Sequence, residues 1–246
     1  MRYLVLSDLH ANLEALDAVV QDAPARDCER VLVLGDLVGY GADPNAVIER
    51  VQALSPAAVI RGNHDKAACG VDDASSFNPA ARLAARWTFE HLTPEHRAYL
   101  QELPAGPILI NGRVEICHGS PFDEDFYIFD GPDAWRALES TRSSLCFFGH
   151  THIAAVFLRS GSLFEVLLPD SAETEVVVAN GRRLLINPGS VGQPRDGDTR
   201  AAYAVYDDER GVVTLCRVSY PIEKAQEKII AAGLPRGLAS RLAVGR

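Results

Sequence analysis

The sequence predicts an α/β protein built from two packed mixed β-sheets, a β-sandwich flanked by helices. In the first sixty residues, three short apolar runs alternate with amphipathic stretches, which is the pattern of buried parallel strands joined by helical crossovers. The second half is instead rich in short strand-like runs separated by turn signals. We expect one domain over residues 1–246, because the candidate functional residues are spread from Asp8 to His152 and can meet only if most of the chain folds together.

The N-terminal half of the sheet core is predicted from its apolar runs, which are Tyr3 to Leu6, Val31 to Leu34 and Ala57 to Ile60. The first crossover, from Leu13 to Gln21, places its apolar residues on one face, as an amphipathic helix does. The second crossover opens at Asp43-Pro44 and runs to about Leu54, and proline is favoured in the first turn of a helix. These segments predict parallel strands covered by helices.

The rest of the chain begins with a helix-rich stretch from about Pro79 to Glu102. The strand-like runs that follow are Pro107 to Ile110, Val114 to Cys117, Leu145 to Phe148, Ala154 to Leu158, Leu163 to Leu168, Glu175 to Val178, Arg183 to Ile186, Ala201 to Tyr206 and Val212 to Val218. Turn signals at Asn111-Gly112, Ser160-Gly161 and Asn180-Gly181 predict hairpins between several of them. A last amphipathic helix is predicted from about Glu223 to Ala232.

The composition excludes several classes of protein. The 24 Lys and Arg against 33 Asp and Glu give a formal net charge of -9, which disfavours long nucleic acids as partners but not a small phosphate ester attracted by bound cations. The five cysteines are widely spaced and contain no Cys-x-x-Cys pair, so neither a disulfide framework nor a zinc ribbon is predicted. No stretch approaches the ~18 apolar residues needed to cross a bilayer. We expect a cytoplasmic protein without a membrane partner, and the sequence leaves its oligomeric state open.

Polar motifs stand at the ends of five predicted strands. They are Asp8-Leu9-His10, Gly35-Asp36, Gly62-Asn63-His64-Asp65, Cys117-His118-Gly119 and Gly149-His150-Thr151-His152. Ligands collect at the carboxyl ends of strands in such sheets, although a single strand-end His or Asp is more often a structural residue. Five such motifs in one chain are hard to obtain by chance and predict a functional site.

In this order and at these separations, the five motifs resemble the signature of the calcineurin-like metallophosphoesterase family. The stretch from Asn187 to Pro194 is similar to the bacterial branch of that family. The resemblance implies a four-layer architecture with two central sheets. It also implies an enzyme with two metal ions that hydrolyses a small phosphodiester or phosphomonoester through a hydroxide bridging the metals.

The resemblance further implies a ligand set. One metal would be held by Asp8, His10, Asp36 and His152, and the other by Asp36, Asn63, His118 and His150. Mixed nitrogen and oxygen ligands suit manganese or iron, which we expect, as well as zinc, cobalt or nickel. Two divalent ions, two carboxylates and one hydroxide leave a charge of about +1, which attracts an anionic ester. Alternation along a strand would place His150 and His152 on the same side, so strand geometry does not explain why they would bind different metals.

Four further residues are candidates for supporting roles. We predict that His64 protonates the departing alkoxide, because it lies beside a ligand without being one itself. Asp65 could orient the His64 ring, and Asn12 could be a helix N-cap or support the metal site. Arg61, like Arg195, could contact phosphate or form a surface ion pair.

Other functions remain open at this point. An interaction module that has lost catalysis would be expected to lack some ligands, whereas this chain retains all seven. Protein phosphatase and dinucleoside polyphosphate hydrolase are possible because the run from Gly35 to Gly41 is similar to those relatives. Leu37 to Tyr40 differ from the eukaryotic phosphatase motif, which carries an arginine in this stretch, and so argue against phosphoprotein substrates. The segment from Lys66 to Asn78 is predicted to border the pocket and to influence substrate choice.

Overall fold

Two six-stranded mixed sheets packed face to face form the centre of the computed structural model, which describes the backbone of residues 1–246 and every side chain except those of residues 24 and 25. With strands numbered along the chain, the first sheet has the spatial order β3 (Ala58–Val59), β2 (Arg30–Val33), β1 (Arg2–Leu6), β11 (Ala201–Asp207), β12 (Val212–Val218) and β9 (Glu173–Val177). The second has the order β4 (Ile108–Ile110), β5 (Val114–Ile116), β6 (Leu145–Phe147), β10 (Arg183–Asn187), β7 (Ala155–Ser160) and β8 (Leu163–Leu167). The β1–β2, β2–β3, β5–β6 and β6–β10 pairs are parallel, and the other pairs are antiparallel.

Helices cover the outer faces of the two sheets. They are α1 (Leu13–Asp22), α2 (Pro44–Ala53), α3 (Asn63–Cys69), α4 (Pro79–His91), α5 (Pro94–Glu102), α6 (Gly131–Ser140), α7 (Ile222–Ala231) and α8 (Arg236–Leu242), with a short 3-10 helix at Ala23–Arg26. Helix α6 packs on the second sheet, and α1 and α7 pack near the first. The described residues contain no helix that is both long enough and apolar enough to cross a membrane.

The alternation of β1 shows why the sheets pack in layers. Tyr3 and Val5 point into the core between the two sheets, and Leu4 and Leu6 point into the core beneath the helices. All four side chains are almost fully buried, and each such burial contributes roughly 1.5–3 kcal/mol. A strand that is apolar on both faces is the signature of a central strand covered on both sides, which is the position of β1.

The predicted fold class is confirmed, with local corrections. The Asn111-Gly112 and Ser160-Gly161 turns join antiparallel neighbours, as predicted. The hairpin predicted at Asn180-Gly181 is wrong, because β9 and β10 belong to different sheets and this turn carries the chain from one layer to the other. Helices α3, α6 and α8 were not predicted. The first and last have only seven residues each, too few to display a clear helical period.

Candidate metal centre

The predicted ligands meet where the strands of both sheets end. Asp8 follows β1, Asp36 follows β2, His118 follows β5, His150 follows β6, and Asn63 is the first residue of α3. One ligand atom from each of Asp8, His10, Asp36 and His152 lies within 4.8 Å of the others, and the same holds for Asp36, His118 and His150. These six side chains are at most 3% exposed. Asp36 belongs to both groups, which places it between two candidate metal positions.

The backbone around these residues adopts an uncommon conformation. Asp8, His10, Asp36, His150 and His152 all have positive φ angles, between 48° and 68°. A left-handed residue other than glycine costs roughly 1–3 kcal/mol, and such residues cluster at functional sites. Because His150 and His152 are not in an extended strand, the alternation expected from the sequence does not apply. The His150 ring joins Asp36 and His118, and the His152 ring joins Asp8 and His10.

Backbone carbonyl groups orient the rings of the four histidines in the two candidate ligand groups. The contacts are His10 Nδ1 to Val38 O (3.2 Å), His118 Nδ1 to Leu34 O (2.8 Å), His152 Nδ1 to Gln193 O (2.7 Å) and His150 Nε2 to Asp125 O (3.1 Å). A carbonyl oxygen only accepts, so the ring nitrogen in each contact must carry the proton. The other nitrogen of each neutral ring therefore presents a lone pair, Nε2 in three rings and Nδ1 in His150.

The inward atoms of the first group are acceptors that face one another. The Nε2 atoms of His10 and His152 are 3.0 Å apart, and His152 Nε2 is 3.5 Å from Asp8 Oδ1. Asp36 Oδ2 is buried and has no hydrogen-bond partner among the described atoms. Lone pairs gathered at these distances repel unless a proton or a cation lies between them. The donor set therefore fits a metal ion.

The second group differs from the first, because one of its rings carries a positive charge when no metal is bound. Asn63 Oδ1 lies 3.3 Å from His118 Nε2, and that nitrogen lies 3.5 Å from Asp36 Oδ2. Although burial opposes it, the charges of Asp36 and Asp8 raise the pKa of His118 to about 10. Burial raises the pKa of Asp8 to about 6, whereas the surrounding imidazoles, His118 first, overcome burial and hold the pKa of Asp36 well below its usual range. Without a metal, a proton on His118 thus partly neutralises the carboxylates.

Glycines allow the backbone to come close to the carboxylates. A Cβ atom on Gly62 would lie 2.6 Å from the Asp36 backbone nitrogen and would overlap Asp36 Oδ1. Asp8 is held by the Ser7 hydroxyl at 2.7 Å and by the His150 amide at 3.1 Å. Gly149 lies against Ser7 and Asp8, and a Cβ atom on it would be 2.9 Å from Asp8 Oδ2. A larger residue in place of Gly62 or Gly149 would therefore collide with the groups that hold the two carboxylates.

His64 lies beside the metal centre in an aromatic environment. Its ring centroid is 4.3 Å from that of Tyr40, 4.6 Å from that of Phe77 and 5.0 Å from that of His10. Its Nδ1 atom is buried and has no hydrogen-bond partner among the described atoms. Burial lowers the pKa of His64 to about 4, although the charge of Asp36 opposes this.

Asp65 and Asn12 hold the backbone rather than reaching the metal group. The two oxygens of Asp65 accept the backbone amides of Val38 at 3.2 Å and Gly62 at 2.9 Å. No hydrogen bond joins Asp65 to His64 among the described residues, so the contact proposed to orient that ring is missing. Asn12 caps α1 by accepting the Ala15 amide, and its Nδ2 donates to Gly192 O at 2.8 Å.

Arg61 forms an ion pair, one of the two alternatives left open by the sequence. Its Nε and Nη2 donate to the two carboxylate oxygens of Glu124 at 3.0 and 2.9 Å. Glu124 also accepts from Lys66 Nζ at 3.1 Å, and Lys66 contacts Asp125 as well. The Arg61 guanidinium is therefore neutralised by protein and is not free to bind phosphate.

A cavity of about 450 Å³ opens beside the second group. Its lining includes Asn63, His64, His150, Tyr40, Phe77, Tyr127, Asp72 and Asp125. The segment from Lys66 to Asn78 borders it, as predicted. Tyr127 was missed by the sequence analysis, although its ring stacks on that of His150 with centroids 3.7 Å apart. The only signal in the sequence was a non-periodic, aromatic and acidic stretch after the His118 motif.

Comparison with known proteins agrees with this geometry. The model of the calcineurin-like phosphoesterase superfamily domain matches residues 1–211. A metallophosphoesterase from Sphaerobacter thermophilus of known structure is 40% identical, covers 100% of this chain and 99% of its own, and superposes with a TM-score of 0.88. An uncharacterised protein of Methanocaldococcus jannaschii is 35% identical over 98% of this chain and 97% of its own length.

A hypothetical protein from Pyrococcus horikoshii is 21% identical, with coverage of 100% of this chain and 98% of its own and a TM-score of 0.82, a likeness that shows the fold alone. The family match spans all five strand-end motifs, and the relatives cover nearly the whole chain. The chain therefore belongs to the calcineurin-like phosphoesterase superfamily.

Proposed function

We propose that this protein is a two-metal phosphoesterase that hydrolyses small phosphodiesters or phosphomonoesters. The observation that carries the proposal is the position of Asp36, whose buried Oδ2 has no hydrogen-bond partner among the described atoms and lies 3.5 Å from His10 Nε2 in one group and 3.5 Å from His118 Nε2 in the other. The neighbouring cavity lies within the ~300–1,000 Å³ range of small-molecule sites. Its size favours a small ester over a protein surface as substrate.

The proposed ligands are those implied by the family resemblance. Asp8, His10, Asp36 and His152 would hold one ion, and Asp36, Asn63, His118 and His150 the other. Manganese or iron suits this mixed set best, and zinc, cobalt or nickel also fit it. When bound, two such ions lower the pKa of water and offset the charge that builds up on the phosphoryl oxygens.

The surrounding residues prepare this chemistry. The carbonyls of Val38, Leu34 and Gln193 fix three rings with Nε2 directed inward, so little reorganisation is needed on binding. Six of the seven proposed ligands are almost completely buried, which strengthens the attraction between the bound ions and an anionic ester, and Asn63 lies at the cavity.

His64 is proposed to deliver a proton to the departing oxygen. It lines the cavity beside Asn63, within reach of a bound ester. With a pKa of about 4 the free ring is neutral at pH 7, and the negative charge of a bound ester favours its protonated form. Proton transfer of this kind contributes typically about 10²–10⁴-fold to a rate.

We also propose that the protein works in the cytoplasm on small molecules. All five cysteines are free thiols, and the buried Cys117 and Cys146 are hydrogen-bonded with their sulfurs 3.8 Å apart rather than joined by a disulfide, which suits a reducing compartment. The net charge of -9 disfavours long nucleic acids as substrates.

The test combines metal analysis with activity. Protein purified without chelator should contain up to two equivalents of transition metal and hydrolyse bis(p-nitrophenyl) phosphate with added manganese. Asp36→Asn removes the shared charge and should abolish both properties, whereas Asp170→Asn, at an exposed position, should preserve them. Metal-loaded wild-type protein that is inactive towards every phosphomonoester and phosphodiester in a broad panel would refute the proposal.

A further inference from the structure

Two arginines converge beside the metal centre, on the side of His152. The backbone amide of Arg195 donates to the His152 carbonyl at 3.1 Å, and its Nη2 donates to Gln193 Oε1 at 3.3 Å. Arg241, on α8, donates to the same Gln193 oxygen at 3.4 Å. Two guanidinium groups therefore share one neutral amide oxygen.

Neither arginine has an acidic partner within ion-pair distance among the side chains that the structure describes. The neighbouring carboxylates are already engaged, since Asp196 pairs with Arg217 and Asp198 pairs with Arg200. The Nε atom of Arg195 is buried without an acceptor.

The two guanidinium groups repel each other, and the carboxylate of Asp8 offsets the charge of Arg195 only over a distance longer than an ion pair. Burial, followed by the charge of Arg195, lowers the pKa of Arg241. Partly buried cations are normally paired, and arginine is suited to bidentate recognition of phosphate. In a chain with a net charge of -9, two adjacent arginines without an ion-pair partner among the described side chains point to a binding site for an anion.

The position of the pair relates it to the cavity. Arg195 Nη2 also donates to the Tyr40 hydroxyl at 3.2 Å, and the Tyr40 ring lines the cavity together with His64. Elsewhere in the cavity, Asp125 is paired with Lys66, whereas Asp72 has no ion-pair partner among the described side chains and its negative charge repels an anion. The Tyr40 side chain thus joins the lining of the cavity to Arg195.

We propose that Arg195 and Arg241 form a subsite for a second phosphate group, so that the preferred substrates carry a phosphate in addition to the one hydrolysed at the metals. This inference rests on the proposed function, because it takes the first phosphate to lie at the metal centre. Arg241 lies beyond residue 211, where the family match ends. Arg195 and Gln193 lie within the matched residues, so the subsite combines the shared domain with the C-terminal helix α8.

The subsite can be tested by binding alone. Alkane-1,ω-diphosphonates with two to six carbons and the corresponding alkylphosphonates have carbon–phosphorus bonds that the proposed reaction does not cleave. Isothermal titration of the manganese-loaded full chain, with manganese held constant, gives the affinity ratio of each pair. At one chain length or more, the diphosphonate should bind tenfold tighter or better, a factor equivalent to about 1.4 kcal/mol.

Variants then test whether the tighter binding of the diphosphonate depends on Arg241. Arg241→Met should reduce the ratio to near one, Arg241→Lys should retain part of it, and Arg236→Met, an exposed change on the same helix, should leave it unchanged. Circular dichroism checks that each variant is folded. A wild-type ratio near one at every chain length, or an unchanged ratio in folded Arg241→Met, would overturn the subsite. Hydrolysis of bis(p-nitrophenyl) phosphate tests the enzyme separately, so a retained ratio without any hydrolysis would refute only the proposed function.

Discussion

The Nε2 atoms of His10 and His152 face each other at 3.0 Å, although both Nδ1 atoms already donate to backbone carbonyls. Burial lowers the pKa of both rings well below the ordinary value, so an imidazolium proton is disfavoured between them. The two lone pairs are held together by the rest of the fold at a cost in stability. A cation bound there would turn this repulsion into attraction.

Metal binding should therefore stabilise the folded protein. Relative to chelator-treated protein, manganese at 100 times its dissociation constant should add about 2.7 kcal/mol to the free energy of unfolding for each ion bound. For a chain of this size that corresponds to a rise in melting temperature of roughly 5–10 °C. Differential scanning calorimetry measures the shift, and calcium, which prefers sites made only of oxygen, serves as the control. Equal melting temperatures with and without manganese would contradict a preformed metal site.

Gly62→Ala should disrupt the site without altering any ligand. The added methyl group would overlap Asp36 Oδ1 and push the shared carboxylate out of place. We expect bound metal to fall to one equivalent or less, as measured by elemental analysis. Gly237→Ala is the matched control, since its Cβ would meet no atom within 4 Å, and it should keep the full metal content. Full metal content in Gly62→Ala would show that the close approach is not required.

The convergence of the proposed ligands could be predicted from the strand pattern, whereas their division between two groups came from the family resemblance alone. Asp8 and Asp36 follow apolar runs that had to be neighbouring strands, so their convergence follows from the sheet. The division of His150 from His152 depends on positive φ angles at both residues, and local sequence does not specify these angles. The side-chain alternation of an extended strand does not apply to His150 and His152, because they lie in a turn.

Contacts between distant loops could not be predicted from the sequence either. Gln193 O orients His152, and Asp125 O orients His150, but no spacing rule relates residues 41 and 25 positions apart in irregular segments. Likewise, the linear sequence does not show which acidic residue or ligand an arginine will bind. Arg61 was equally compatible with phosphate and with an ion pair until the fold placed Glu124 against it.

Lys66→Met should loosen the segment that carries Tyr127. The Lys66 side chain is only 7% exposed and joins Glu124 to Asp125, so its loss leaves two carboxylates with a single remaining cation, Arg61. Because Asp125 is partly exposed, we expect a moderate loss of about 1–2 kcal/mol in the free energy of unfolding, measured by urea denaturation. Arg86→Met, which removes an exposed pair with Glu90, should cost less than ~0.5 kcal/mol. Equal losses in the two variants would mean that the Lys66 contacts add no more than a surface pair.

The role of His64 can be separated from metal binding by varying the leaving group. An alkoxide needs a proton as it departs, whereas p-nitrophenolate leaves without help, so only the first reaction depends on a general acid. His64→Asn should lower kcat for an alkyl phosphodiester by about 10²–10⁴-fold and kcat for bis(p-nitrophenyl) phosphate far less. The side chain is not among the proposed ligands, so elemental analysis should find the wild-type metal content.

A remote histidine provides the control for this experiment. His96→Asn alters α5, where the ring contacts Asn45 rather than the metal centre, and it should leave both rates unchanged. Equal losses for the two leaving groups in His64→Asn would indicate that the ring positions substrate or packs against Tyr40 and Phe77, and proton donation would then have to come from another group. A selective loss for the alkyl ester, with metal retained, is the result that only an acid at this position explains.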